Sequence, residues 1–550
     1  MDPYEKLKAD IIKSIALPEA ALETPPQITG ADLALPCFSL AKKFKKPPAA
    51  IARELAEKAK PRGLISRIEA TGPYLNFFAD WESLGNLLLN EILAKKEGFG
   101  SGKMKEKIMV EFAHPNTHKA FHIGHIRNIA LGESLSRLLE KSGYKVVRTN
   151  YQGDIGPHVA KCLWGLLHLG KTPPAKDKGI WLGEIYAEAN QKISDNPKRE
   201  EEVREINKKL YAGDPSLRKL WKQTRKWSLD YFESVYKDFG SKFDRLYFES
   251  EVEAPGIKLA KTLLNKGVAK KSEGAIVMDL KKWDLGVYVL LTQDQTPLYS
   301  VKDFVLASLQ DKEFHPSRII HVVGTEQILH FRQLFKSLEL TNPVVAKKEN
   351  HLPYELVNLK SGKISSREGR VITYDSMKKE ILAHAIKETK KHSPNAPAKT
   401  AESVALGGIK YDMIKQSPEK TIMFDWEQAL SFEGNAAPYL QYTHARACSI
   451  LRKAKPGKCD ARHLKEEKEL LLMRKLLTFP GTVQAAARDL RPHYIANYAY
   501  QLASLFNDFY QAIPVIGSPQ EKARLALVQA VQLTLGNSLK ILGITAPEKM

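Results

Sequence analysis

The sequence predicts a multidomain chain of α/β plus all-α class, built around a doubly wound parallel sheet. Three observations carry that prediction. KIMVEF (107–112), an apolar helical face over 126–139 and YKVVRT (144–149) read as strand, helix and strand within about forty residues. A comparable pattern returns in GVYVLLT (286–292), YSVKDFVLASLQD, SRIIHVVG (317–324), TEQILHFRQLFKSLEL and YELVNLK (354–360). After about residue 400 the apolar spacing is helical almost throughout. Two parallel β-α-β halves make a Rossmann-like sheet with its ligand crevice outside the carboxyl ends of the strands.

Each element has its own warrant. In MDPYEKLKADIIKSI the apolar stripe of Tyr4, Leu7, Ile11 and Ile15 suits an amphipathic helix, and Asp2, Glu5 and Asp10 argue against a targeting peptide. The first hundred residues carry short apolar runs (LISRIEA, YLNFF) between Pro-rich spacers, as a small α/β domain would. Ile126, Ile129, Ala130, Leu131, Leu135, Leu138 and Leu139 form one helical face, and Gly143 stands where a C-terminal cap belongs. Residues 162–285 read as a long mixed insertion between the two halves.

At 550 residues with 43% hydrophobic and 27% charged residues, several packed domains are expected. No run approaches the roughly 18 uninterrupted apolar residues of a membrane span. Cys37, Cys162, Cys448 and Cys459 form no CxxC pair, which points to a reducing compartment and offers no cysteine zinc site. The formal net charge of +21 favours a polyanionic partner. From residue 437 onward there are 16 Lys and Arg against 8 Asp and Glu, so the terminal region is itself basic.

The stretch HPNTHKAFHIGHIRN (114–128) places His114, His118, His122 and His125 at spacings of four, four and three. On one helix they would share a face, as metal ligands do. Pro115 and Gly124 oppose a continuous helix there, and no HExxH is present. The preceding strand and following helix place the stretch at a loop and helix N-terminus. There phosphate meets free N–H groups, and two imidazoles can follow charge on a transferring phosphoryl group. Gly124 would let a flat base lie against the backbone.

FHIGHIRN resembles the HIGH signature of class I aminoacyl-tRNA synthetases, and NLKSGKISSREGR (358–370) resembles that family's KMSKS loop. The resemblance implies a Rossmann-like catalytic domain that activates an amino acid with ATP and Mg2+ and passes it to tRNA. Lys363 matches the first lysine of the loop, Ser365 and Ser366 its hydroxyls, while Arg367 stands where a second lysine is usual; arginine is not equivalent to lysine at a phosphate. Subfamilies lacking that lysine often carry one three residues before the first histidine, where Lys119 stands. That trait is one of arginyl-tRNA synthetases. VEFAHPNTHKAFHIGH, NYQGDIGPHVAK (150–161), FDRLYFESE (243–251), TPLYSVKDFVLA (296–307), HVVGTEQILHFRQLF (321–335) and SFEGNAAPYLQYTHARACSILRK (431–453) are similar to that group over nearly the full chain.

Carried over residue by residue, the resemblance implies catalytic roles for His122, His125, Lys119 and Lys363, and an ATP site of His122, Gly124, His125, Lys363, Ser365, Ser366 and Arg367. It implies an arginine pocket of Glu111, Asn116, Tyr299, Asp303 and Gln327. The chemistry is sensible, because a guanidinium has five donors and no acceptor, which opposed carboxylates satisfy. Lysine cannot reproduce that fork, so no editing domain is expected. The terminal helices resemble an anticodon-binding bundle, with Tyr439, Tyr442, His444, Arg446 and Arg452 offered to splayed bases. GPYLNFF (72–78) resembles a domain that contacts the tRNA elbow, through Asn76, Phe77 and Phe78.

The expected domains are then 1–103 for the elbow, 104–375 for catalysis, 376–430 for a helical stem-contact segment and 431–550 for the anticodon. The expected partners are tRNA(Arg), L-arginine and ATP, with no membrane and no protein-bound zinc, in a cytoplasmic monomer. Another HIGH enzyme, of glutamyl or cysteinyl type, and a non-catalytic tRNA-binding relative are the alternatives. Intact His122, Gly124, His125 and Lys363 speak against the second, and the cysteine count against the cysteinyl type. His114 and His118 are left without a role.

Overall fold

The computed structural model describes every residue except 1, 19, 26–29, 195, 361–372, 393–396 and 458–459. The chain opens on the helix Pro3–Ile15, which Asp2 caps by accepting from the Tyr4 amide, and which buries Leu7, Ile11 and Ile15. Strands β1 (Leu33–Pro36), β2 (Ile65–Thr71) and β3 (Tyr74–Ala79) form an antiparallel sheet in the order β1-β3-β2.

The central sheet is parallel throughout. It contains β4 (Lys107–Glu111), β5 (Lys145–Gln152), β6 (Arg245–Phe248), β10 (Arg318–Gly324) and β11 (Glu349–Tyr354), in the order β11-β10-β4-β5-β6. The helix Ile123–Lys141 joins β4 to β5 and ends at Gly143, whose φ of +95° suits a residue without a side chain. A Cβ there would also meet the Met104 backbone at 2.8 Å. Strand order reverses between β4 and β10, which places a crevice outside their carboxyl ends.

Three sequence expectations change. GVYVLLT does form a strand, β9 (Val287–Leu291), but it joins β7 (Lys270–Ser272) and β8 (Ala275–Asp279) in a separate antiparallel sheet. An apolar run records that a strand is buried, not which sheet takes it. The last central strand is β11, not YELVNLK; β12 (Val357–Leu359) pairs instead with β13 (Ile422–Phe424). Pro353 obscures β11 in the sequence and is tolerated because the strand is an edge. Residues 162–285, expected as one insertion outside the sheet, return to it through β6.

From Ala398 onward β13 is the one strand among the described residues and the other elements are helices, with long ones at Ala398–Ile414, Ala437–Lys453, His493–Ala512 and Glu521–Ile541. One hydrophobic core runs from Leu7 through Phe112 and Leu135 to Leu539, so the N-terminal domain, sheet and terminal bundle pack together. A second lies under the helices Glu249–Asn265, Tyr299–Phe314 and Ile328–Thr341. Among the described residues no helix is long and apolar enough to cross a membrane.

Candidate active site at the carboxyl ends of β4 and β10

His122 is the N-cap of the helix Ile123–Lys141, not part of a histidine-lined helix face. Its Nδ1 accepts from the Gly124 amide at 3.2 Å, and His125 Nδ1 accepts from the His122 amide at 3.2 Å. Two imidazoles thus form the reciprocal capping box usually built from Ser and Glu. With Nδ1 accepting on both rings, the proton of each neutral imidazole sits on Nε2, which is left free to donate. The rings stack at 3.7 Å. Burial pushes both pKa values down, His125 strongly, so both rings are neutral at pH 7. A Cβ on Gly124 would come within 3.1 Å of the His122 ring, so this glycine makes room for its own motif's imidazole.

The neighbouring residues of the stretch are scaffold. Arg127 is buried and donates to the carbonyls of Leu356, Pro418 and Lys420 at 2.9 to 3.1 Å, and also to that of Glu355. Asn128 accepts from the Ala113 amide at 2.5 Å and donates to the Val322 carbonyl at 2.7 Å, tying β4 to β10. Thr373 bridges to His122, and the Tyr374 amide donates to the Phe121 carbonyl at 2.7 Å. Lys363, Ser365, Ser366 and Arg367 lie outside the described residues. Lys119 is half-buried, 5.1 Å from the Tyr186 ring centre, and burial lowers its pKa.

His118 is wholly buried, its ring between the hydroxyls of Thr117 (2.9 Å) and Thr224 (2.8 Å), with its amide donating to Ser228 at 2.9 Å. It pins the loop to the helix Pro215–Phe239. Burial pushes its pKa down to about 3. Unfolding would release a histidine of pKa about 6.5, so the native state loses stability as pH falls below that value. At pH 5 the loss from His118 alone is about 2 kcal/mol, measurable as a stability difference between pH 7 and pH 5 that shrinks in His118→Gln.

A cavity of about 280 Å³ opens beyond β4 and β10, lined by Glu111, His114, Tyr151, Tyr299, Asp303 and Gln327 among others. Four of the five residues expected around arginine therefore converge. The fifth, Asn116, does not line this cavity; it lies against Gly153, where a Cβ would meet its Oδ1 at 2.2 Å. Tyr299 is 56% exposed at the mouth, and Asp303 follows one turn later on the same helix. Asp303 Oδ2 accepts from His330 Nε2 at 2.7 Å, while its buried Oδ1 has no partner among the described residues. The adjacent Lys302 is buried and pairs with Glu249 at 2.9 Å.

His114 and Tyr151 are the residues sequence reasoning missed. His114 Nδ1 donates to the Tyr151 carbonyl at 3.3 Å, which leaves Nε2 as a lone-pair acceptor, buried and without a partner among the described residues. The same holds for the buried Tyr151 hydroxyl, and burial pushes its pKa well up. Ala113 and His114 both adopt left-handed backbone, φ +80° and +47°, a strained pair just beyond the end of β4. Only the signal of a histidine at the end of a strand was available in advance.

The terminal bundle holds a second candidate surface. A cavity of about 450 Å³ is lined by Tyr442, Arg446, Arg452, Tyr510 and Met550. Arg446 lies 4.9 Å from the Tyr442 ring centre and 5.1 Å from that of Tyr510. His444 is corrected: it is buried, donating to the Pro547 carbonyl at 2.9 Å and lying 2.9 Å from Gln532, so it anchors the chain end. Tyr439 is half-buried against Tyr500. In the first domain Phe77 is corrected too, being 1% exposed in the core. Asn76 is buried and donates to Thr71 Oγ1 at 3.2 Å, leaving Phe78, under the Arg67 guanidinium at 3.8 Å, as the accessible residue of the three.

Comparison with known proteins agrees with this architecture. Residues 88–426 match the family "tRNA synthetases class I (R), catalytic domain", 440–550 the DALR anticodon binding domain, and 4–79 the arginyl tRNA synthetase N terminal domain. An arginine–tRNA ligase of Clostridioides difficile is 35% identical, over 97% of this chain and 96% of that protein. One of Bdellovibrio bacteriovorus is 37% identical, over 96% and 94%. The arginyl-tRNA synthetase structure of Thermus thermophilus superposes with a TM-score of 0.84 at 29% identity, covering all of both chains.

Proposed function

The chain belongs to the arginyl-tRNA synthetase family, and from that premise we propose that the cavity outside β4 and β10 seats the arginine substrate, with the stacked histidine pair beside it serving ATP. The family's reaction, ATP-dependent ligation of arginine to tRNA, is this chain's reaction. The observation that carries the assignment of the cavity is its set of polar atoms. Asp303 Oδ1, His114 Nε2 and the Tyr151 hydroxyl are buried there without partners among the described residues. Two of the three can only accept, and buried acceptors without donors are costly unless a ligand supplies them. Arginine brings a guanidinium and an ammonium, donors at both ends.

In this reading the arginine carboxylate attacks the α-phosphorus of MgATP in line, giving arginyl-adenylate and pyrophosphate. His122 and His125 donate from Nε2 to the phosphate oxygens as charge builds, and Lys119 adds a cation. Neither imidazole acts as a base, since both Nδ1 atoms are committed to the helix cap. Lys363, with Ser365, Ser366 and Arg367, serves the phosphates by motif match. The 3′-terminal hydroxyl of tRNA then attacks the adenylate and releases AMP. Positioning supplies most of the acceleration.

For tRNA, the basic bundle takes the anticodon on Tyr442, Arg446, Arg452 and Tyr510, and the first domain takes the elbow through Phe78. Replacing Arg446 by Ala should raise KM for tRNA about tenfold while leaving KM for arginine and ATP unchanged, as loss of one stacked cation predicts. Steady-state aminoacylation with each substrate varied in turn checks this. The test of the whole reading is charging of total tRNA with each amino acid, in wild type and in His125→Ala.

A further inference from the structure

The wall of the arginine cavity is backed by a buried chain of three ionisable groups. His321 on β10 donates from Nδ1 to Glu111 at 2.9 Å and from Nε2 to Glu349 at 2.5 Å. All three side chains are buried: Glu111 on β4 lies directly across from His321, and Glu349 on β11 lies across from Ile319, two residues before His321 on β10. Both ring nitrogens face carboxylate oxygens, and only the imidazolium has two donors, so His321 carries the positive charge between two negative ones. Burial alone would push its pKa down, but the two carboxylates outweigh it and lift it to about 10. The same imidazolium outweighs the burial of Glu111 and holds that carboxylate below its usual range. Gln310 donates to the other Glu111 oxygen.

Glu111 and His321 line the cavity, whereas Glu349 does not. We propose that Glu349 is a positioning residue for arginine recognition: through His321 it fixes the Glu111 carboxylate, ionised and correctly turned, at the cavity wall without touching substrate. The inference rests on the reading of this cavity as the arginine seat. A carboxylate with both oxygens already engaged from behind presents its remaining lone pairs to the cavity in one orientation. Without Glu349 the imidazolium loses one of its two anchors, and the proton and orientation it gives Glu111 are no longer fixed. The arrangement parallels the way outer groups orient inner ligands at metal sites.

The test is aminoacylation kinetics of the full chain as Glu349→Gln and Glu349→Asp, with Asp303→Asn as control. Glu349→Gln should raise KM for arginine about tenfold, with kcat within twofold and KM for ATP unchanged, because binding common to ground and transition states is lost. Glu349→Asp keeps the charge and should give a smaller rise. A lowered melting temperature with KM for arginine within twofold of wild type in both variants would assign Glu349 to stability and overturn the proposal. If Glu349→Gln does not fold, Glu349→Asp decides: a rise in KM of twofold or more supports the proposal, and an unchanged KM overturns it. Asp303→Asn separates the two claims. Unchanged arginine KM in that control removes the cavity reading itself, whereas a raised KM there beside wild-type values at Glu349 removes only the positioning role.

Discussion

Asp303→Asn should raise KM for arginine by about a hundredfold or more while leaving KM for ATP near wild type. Among the described residues, Asp303 is the cavity carboxylate with an uncommitted oxygen: Oδ2 is held by His330 and Oδ1 has no partner. Removing one partner of a buried charge pair typically costs about 2–5 kcal/mol, and about 2.7 kcal/mol is a hundredfold. Asparagine keeps the shape and one acceptor but loses the charge and turns an N–H toward the guanidinium. The effect should therefore exceed that of Tyr299→Phe, since Tyr299 stands at the exposed mouth. Initial rates of tRNA charging over a wide arginine range measure both.

His125→Ala should lower kcat by about 10²–10³-fold, the usual loss when one donor to developing charge is removed. The same substitution deletes half of the helix cap, because His125 Nδ1 accepts from the His122 amide. A cap is worth about 1 kcal/mol of stability. Since the cap is a small term, the melting temperature should move by only a few degrees while kcat collapses. His125→Asn retains a short donor and acceptor and should recover part of both. Because burial lowers the pKa of both rings, wild-type kcat should not fall through titration of His122 until the pH is below 6.5, nor through that of His125 until it is well below 6.5. Protonation would then place an N–H of His125 against the His122 amide and break the cap.

The sheet and the histidine-bearing loop after β4 were legible because each rests on local rules. An apolar run, a capping glycine at Gly143 and a glycine between two histidines all act within a few residues of themselves. Glu111, Tyr299, Asp303 and Gln327 were found by motif and do meet at one cavity. What stayed hidden depends on distant partners. Nothing local distinguishes β9 from a central strand, and Pro353 disguises an edge strand as a loop. Phe77 and Phe78 are adjacent and alike, yet one is core and the other stacks under Arg67. His444 reads as a base-stacking ring until the chain end folds back onto it. His114 and His118 differ only in what approaches them: a cavity for one, two threonine hydroxyls for the other.

The regular spacing of the four histidines also has a plain account. His118 is a pin and His114 a cavity wall, while His122 and His125 cap a helix. Their common loop folds so that each reaches a different neighbour, and the helical interval has no part in it.

The central claim, that the acidic cavity recognises a charged guanidinium, is tested most directly by the ratio of kcat/KM for arginine over citrulline. Citrulline has nearly the same shape with a neutral urea in place of the guanidinium. Wild type should discriminate by about 10³-fold or more, as sites that pair buried polar groups with substrate do. Asp303→Asn should shrink that ratio at least tenfold. An unchanged ratio in Asp303→Asn would contradict the account.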